Sequence, residues 1–204
     1  MKLQSVRRLA MALGKQAKIL TKGQIEGVLG FLASTRYSER NKVIFLLSVR
    51  AGLRAKEIAC LKWEMVTDAE GELGSAIHLV DEAAKGRSGR VIPLNKELLA
   101  SLKALRSTQT RFRPSLYVIA TERATQTSPA AIANLFASWY RSLGFSGASS
   151  HSGRRTAITS WARRISTVGG SLRDVQLLAG HSALTTTQRY IEADPGAMRR
   201  VVEL

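Results

Sequence analysis

The chain has 204 residues, with 31 Lys and Arg against 15 Asp and Glu, a formal net charge of +16, and 45% hydrophobic content, enough to bury one sizeable core. So large a cationic excess points to a polyanionic partner, because DNA, RNA and anionic membrane all release counterions when Lys and Arg neutralise them. The most apolar run, VIFLLSV from Val43, is far shorter than the roughly 20 residues a spanning helix needs, and LAMALG before Lys15 is too short for a secretory signal, so a cytoplasmic protein without membrane insertion is expected.

Residues 1–20 read as a basic, solvated N-terminal arm carrying Arg7, Arg8, Lys15 and Lys18. Thr21 with Gln24 forms a capping-box pattern, and Ile25, Val28, Leu29 and Leu32 follow at helical spacing, which predicts a first helix. A second apolar helix is expected from about Ser38 through Val43, Leu46 and Leu47, with Gly52 placed to end it in a left-handed conformation. Arg54 follows that break and stands at the start of a third, short helix containing Ile58 and Leu61. Cys60, the single cysteine, reads as a small core residue; with three histidines in the chain, neither an internal disulfide nor a zinc-type ligand set is expected.

The period then changes. SAIHLV, the turn-rich AAKGRSG and RVIPL read as an antiparallel hairpin with Lys85 at its bend. Asn95 is placed to cap a helix carrying Leu98, Leu99, Leu102 and Leu105, and RFRPSLYVIA is an ambiguous connection with room for a strand. Ser128 followed by Pro129 marks a helix start, with Ile132, Leu135, Phe136 and Trp139 as its buried stripe and Gly144 as its end. Three further helices are expected: from near His151 to Arg164, from Leu172 after a Ser171–Asp174 capping box, and from near Ala183 through Tyr190, the last two separated by Gly180. The fold class is therefore mainly α with a small antiparallel β-sheet, in one compact domain without repeats.

Taken singly, an Arg reads as a solvated charge, a Tyr as packing and a His as a locally satisfied side chain. Four ordered segments change that reading: AGLRAKEIACLKW, AAKGRSGRVIPL, HSGRRTAI and LLAGHSALTTTQRYIEA. Over about Thr21 to Ala193 the chain resembles the tyrosine recombinase (phage integrase) family, specifically its catalytic domain, the fold of DNA breaking-rejoining enzymes. By that resemblance Arg54 and Arg154 are the catalytic arginines, Lys85 the hairpin lysine, His151 the histidine of His-x-x-Arg, His181 the next histidine and Tyr190 the nucleophile. Glu57 matches an acid that supports the first arginine. The resemblance implies site-specific recombination, by integration or excision, through a 3′-phosphotyrosyl intermediate without metal, cofactor or ATP. It also implies double-stranded DNA and a tetramer on DNA as partners, with a full-length recombinase or a DNA-bending accessory protein as further ones, at the nucleoid.

The chemistry needs these residue types. Two guanidiniums clamping the non-bridging oxygens of a phosphodiester remove its repulsion of a nucleophile and stabilise the transition state. Arginine keeps its charge and its planar fork, so lysine is a poor substitute there. A neutral phenol, with a reference pKa of roughly 10, is a weak nucleophile and needs a base and a strongly positive site. His151 suits proton acceptance from Tyr190, His181 donation to the phosphate, and Lys85 protonation of the departing 5′ oxygen. His181 and Tyr190 are nine residues apart, on the order of 13 Å along a helix, and need not touch; the resemblance implies that a turn between the helices nevertheless brings both to one phosphate. His151 and Arg154 share one helix face.

Three features depart from the family pattern. Only about 20 residues precede the catalytic framework, where relatives carry a helical core-binding domain, so weak DNA binding by the isolated chain is expected. Arg155 stands where many relatives have a second histidine, and Lys56 replaces a small residue. The tail, residues 194–204, holds Met198, Val201, Val202 and Leu204 at helical spacing and is expected either to dock on another protomer or to make a local core contact. The competing readings are a non-catalytic DNA-binding relative that occupies recombination sites or modulates a full-length recombinase, DNA relaxation in the manner of a type IB topoisomerase, and a basic RNA binder.

Overall fold

The computed structural model describes residues 17–81, 83, 89–112, 115–121, 124–191 and 202–203, with backbone alone at 110–112. Of the basic arm only residues 17–20 fall within that range, and of the tail only 202–203. In chain order the principal elements are α1 (Lys22–Ala33), α2 (Ser38–Val49), α3 (Ala55–Ala59), β1 (Ala76–Leu79), β2 (Arg90–Pro93), α4 (Lys96–Phe112), α5 (Pro129–Ser142), α6 (Ser152–Arg164), α7 (Leu172–Ala179) and α8 (Leu184–Gln188). Short 3₁₀ turns lie at Trp63–Met65 and Ile165–Val168.

Local chemistry sets the boundaries. Thr21 Oγ1 accepts from the Gln24 N–H at 3.2 Å while Gln24 Oε1 accepts from the Thr21 N–H at 3.0 Å, a reciprocal cap that starts α1. Asn95 Oδ1 accepts from the Leu98 N–H at 2.8 Å at the head of α4, and Ser128 caps α5 ahead of Pro129. Ser171 and Asp174 close the box that opens α7. The hairpin pairs Leu79 with Arg90 and Ile77 with Ile92 in antiparallel register. The connection around Leu116–Ile119 contributes an isolated bridge between Lys62 and Tyr117 rather than a full strand.

Helix α2 is buried from Val43 to Val49 and forms the axis of the main core, packing against α1, α4 and α6. Leu20, just ahead of α1, is buried as well, and its N–H donates to Thr156 Oγ1 of α6 at 2.8 Å. A second, small cluster of Ile158, Val175 and Ala179, with Trp161 and Leu172 beside it, holds α7 against α6. Cys60 lies half-buried against the main core. Among the described residues no helix is long and apolar enough to cross a membrane.

The crossing of α6 over α2 depends on a missing side chain. Gly153 faces Ser48 so closely that a methyl group there would overlap Ser48 Oγ and meet Ser48 Cβ at 3.0 Å. This contact sets the depth at which Arg154, the next residue, enters the core. Gly153→Ala is therefore expected to lower stability by about 1–3 kcal/mol through overpacking. Ser48 Oγ is buried without a hydrogen-bond partner among the described residues, so Ser48→Ala should be near neutral alone and should recover part of the Gly153→Ala loss in urea unfolding.

Candidate active site

The site is assembled around one carboxylate. Arg54 is the N-cap of α3, and Glu57, three residues on, is fully buried beneath it. Glu57 Oε2 accepts from the Arg54 backbone N–H at 2.8 Å, and Oε1 accepts from Arg54 Nη1 at 2.8 Å. From the sheet, Arg90 donates through Nη1 to Oε1 at 3.1 Å and through Nη2 to Oε2 at 3.0 Å, a bidentate pair. Arg154 of α6 brings Nη1 to 4.0 Å from Oε2. Three guanidiniums thus share one carboxylate and leave an excess of two positive charges.

Two of these arginines also cap a helix. Arg90 Nε donates to the Leu178 carbonyl at 2.9 Å, and Arg154 Nη2 donates to the Ala179 carbonyl at 2.7 Å. They satisfy the last carbonyls of α7, where the macrodipole favours cations. Gly180 makes this possible: its φ of +61° turns the chain, and a Cβ there would come within 2.9 Å of Arg90 Cδ. Arg154 Nη1 donates to the Gly52 carbonyl across the loop between α2 and α3; Gly52 has the left-handed conformation expected of it, three residues past the end of α2.

Burial alone raises the Glu57 carboxyl, but the hydrogen bonds and charge of Arg90, the Arg54 N–H and the charge of Arg154 outweigh it and hold the group below the ordinary carboxylate value. Burial and the neighbouring Arg54 charge draw Arg154 down to about 10, so it is a cation at neutral pH. His181 is buried, and that burial together with Arg154, Arg54 and Arg90 pushes its imidazole down to about 4. It is a neutral ring at pH 7.

His181 and Tyr190, which their spacing alone did not require to meet, are in contact. Helix α8 has only five residues and ends at Gln188, so Tyr190 lies in the turn beyond it and folds back. The two rings stack with centroids 5.4 Å apart and planes 23° from parallel. His181 Nε2 is 3.1 Å from Arg154 Nη2, and its Nδ1 is 2.9 Å from Thr187 Oγ1. Tyr190 is half-buried against the small cluster. Its carbonyl accepts from Thr159 Oγ1 at 3.4 Å, and Arg155 Cζ lies 5.9 Å from its ring centroid. Tyr140, by contrast, is enclosed in the aromatic cluster of Phe136 and Phe145, where burial pushes its phenol up.

Arg54, Glu57, Arg154, His181 and Tyr190 are therefore brought together. His151 is exposed at the residue preceding α6, one turn from Arg154, with its N–H donating to Ser149 Oγ at 3.3 Å. Lys85 lies outside the described residues. Two participants were missed from the sequence. Arg90 shares a strand face with buried Ile92, and a charge on the apolar face of a strand signals a buried partner. Thr187 sits in a run of three threonines, and nothing in the sequence distinguishes it from its neighbours.

The phage integrase family model matches residues 18–196. The chain belongs to the phage integrase family. Among its relatives, tyrosine recombinase XerA of Pyrococcus horikoshii is 30% identical over 190 residues, covering 93% of this chain and 63% of the relative. Tyrosine recombinase XerC of Actinobacillus succinogenes is 28% identical over 187 residues, covering 88% of this chain and 59% of the relative. The integrase-family chain thus spans less than two thirds of the length of these relatives. Its fold matches the crystal structure of XerA recombinase with a TM-score of 0.71 at 21% identity, over 90% of this chain and 63% of that one. It also matches the Tn1549 transposon integrase, solved in complex with circular intermediate DNA, with a TM-score of 0.73 at 18% identity, over 93% and 67% of the two chains.

Glu57 and His181 both have folded values below their unfolded ones, so their contribution is complete above the unfolded values and is lost as pH falls through the folded ones. Urea midpoints should decline as pH is lowered from about 6.5 toward 4, and His181→Asn should flatten the upper part of that decline. Glu57→Gln leaves the buried Arg90 and Arg154 and the partly exposed Arg54 without their carboxylate and is expected to cost about 3–5 kcal/mol at neutral pH.

Proposed function

We propose that the chain carries the catalytic domain of a tyrosine site-specific recombinase, acting on double-stranded DNA and self-associating on it, as a tetramer, to exchange strands. The observation that carries this reading is the convergence of Arg54, Arg154 and His181 beside the half-buried Tyr190 ring. Arg54 and Arg154 hold the non-bridging oxygens of the scissile phosphate, and their charge offsets the negative charge that develops as the phosphorus becomes five-coordinate. Of the two, Arg54 is the more exposed, at 24% against 4%, and is the first to meet an incoming anion.

In this reading Tyr190 Oη attacks the phosphorus, forming a phosphotyrosyl bond while the bond to the 5′ oxygen breaks. His151 takes the phenolic proton, and Lys85 gives a proton to the departing 5′ oxygen. The covalent link keeps the energy of the phosphodiester, so the 5′-hydroxyl of another strand reverses the step and joins new partners. His181 gives a hydrogen bond to a phosphate oxygen, and Glu57 positions Arg54. The cationic excess of the whole chain supplies the non-specific attraction to duplex DNA, with affinity falling as salt rises. The family's DNA-bound relatives, such as the Tn1549 integrase with circular intermediate DNA, support DNA as the polyanion.

Incubation with nicked suicide duplexes of varied sequence tests the reading. Wild type should form an SDS-resistant protein–DNA adduct, and Tyr190→Phe should form none. Arg54→Lys and Arg154→Lys should each slow adduct formation by roughly 10²–10³ through loss of transition-state charge stabilisation. DNA binding without any adduct, across many sequences and with intact folding, would sink the enzymatic reading in favour of a binding-only relative.

A further inference from the structure

The hydrogen bonds of His181 define where its proton sits. Nε2 is 3.1 Å from Arg154 Nη2, and a guanidinium only donates, so Nε2 must present its lone pair. The neutral ring therefore carries its one proton on Nδ1, 2.9 Å from Thr187 Oγ1, and Thr187 accepts it. Thr187 is fully buried, so this partner is held away from solvent.

That arrangement conflicts with the role proposed for His181. With the proton on Nδ1, Nε2 has no hydrogen to give to a phosphate. Adding a second proton is opposed by burial of the ring and by the groups that face it: Arg154 in contact, and Arg54 and Arg90 beyond it, with Glu57 the opposing anion among the described residues and the Tyr190 ring stacked on the face. A threonine hydroxyl both donates and accepts. If Thr187 turns its O–H toward Nδ1, the same pair of atoms supports the other tautomer with no movement of heavy atoms.

We infer that Thr187 is a positioning residue that lets His181 exchange its proton from Nδ1 to Nε2 when a phosphate anion draws the Arg154 hydrogens away from the ring. When the short α8 turn opens transiently, the Nδ1 proton passes to water and Nε2 takes one from water, so the imidazole stays neutral and the proton count is unchanged. Thr187 then donates to Nδ1, and Nε2–H points at the phosphate oxygen. The inference rests on the proposed reading of His181 as a phosphate donor.

Nitrogen-15 NMR of the histidine rings reads the tautomer directly. In the free chain His181 should show a protonated Nδ1 and a bare Nε2. On titration with inorganic phosphate, until the Arg54 and Arg154 side-chain signals stop moving, the pattern should invert. A proton on Nε2 in the free chain, or protons on both nitrogens in the phosphate-bound one, would overturn the inference. Thr187→Val, which keeps the shape and removes the hydroxyl, should cut adduct formation roughly tenfold or more, as expected for loss of one buried hydrogen bond. It should leave non-covalent DNA binding in place, and Thr187→Ser should restore both the tautomer exchange and the rate. Thr187→Val indistinguishable from wild type, while wild type forms its adduct, overturns the inference alone. Phosphate that leaves the arginine signals unmoved, or a wild type that forms no adduct, overturns the proposed function and the exchange with it. The wild-type NMR result decides the matter even where Thr187→Val fails to fold.

Discussion

A carboxylate with no solvent exposure organises this molecule. Burying an isolated charge costs several kcal/mol even after relaxation, and only well-placed cations with good hydrogen bonds offset it. Glu57 meets that condition by drawing guanidiniums from three segments far apart in the chain: Arg54 at the head of α3, Arg90 on β2 and Arg154 on α6. Each cation also repels the other two, and the carboxylate between them offsets that repulsion. The same contact that stabilises the fold therefore builds the positive site.

The three cations are not equivalent. Arg90, with its side chain 5% exposed, spends its fork on Glu57 and its Nε on the end of α7. It ties the sheet to the helix that presents His181. Arg154 is nearly as buried and reaches α7 and the Gly52 loop, whereas Arg54 keeps a quarter of its side chain in solvent. Rigidity thus comes from Arg90 and Arg154, and accessibility from Arg54. Tyr190 is held differently, in the turn after a five-residue helix, backed by a cluster whose fully buried members are Ile158, Val175 and Ala179. A segment with so little buried apolar area opens at lower free energy than the main core, so the cationic platform is fixed while the phenol-bearing turn is the softer half.

Much of this was legible in the sequence because it rests on local rules. The Thr21–Gln24 and Ser171–Asp174 boxes, the Ser128–Pro129 start and the alternation in SAIHLV and RVIPL each depend on neighbours within a few residues. The approach of His181 to Tyr190 was legible through the family resemblance, which implies a turn that brings both to one phosphate, and not through spacing, because the linear distance along a helix applies only if the helix persists. Here it stops at Gln188 and the chain turns back. Arg90 left a partial trace, as a charge in register with Ile92 on the inward face of a strand. Thr187 left none: Thr185, Thr186 and Thr187 are alike in sequence, and only the turn at Gly180 and the short α8 choose the one that is buried against His181.

The resting site satisfies itself. The Nη groups of Arg154 donate to the Gly52 carbonyl, the Ala179 carbonyl and His181 Nε2, all neutral acceptors. A hydrogen bond from a guanidinium to an anionic oxygen is shorter and roughly twice as strong as one between neutral groups. An entering phosphate therefore competes only with the weaker acceptors, while the ion pairs to Glu57 keep the guanidiniums in place. Because His181 Nε2 is the one acceptor among the three that belongs to a side chain free to change its protonation pattern, it is also the one that can turn from a competitor of the phosphate into a donor to it.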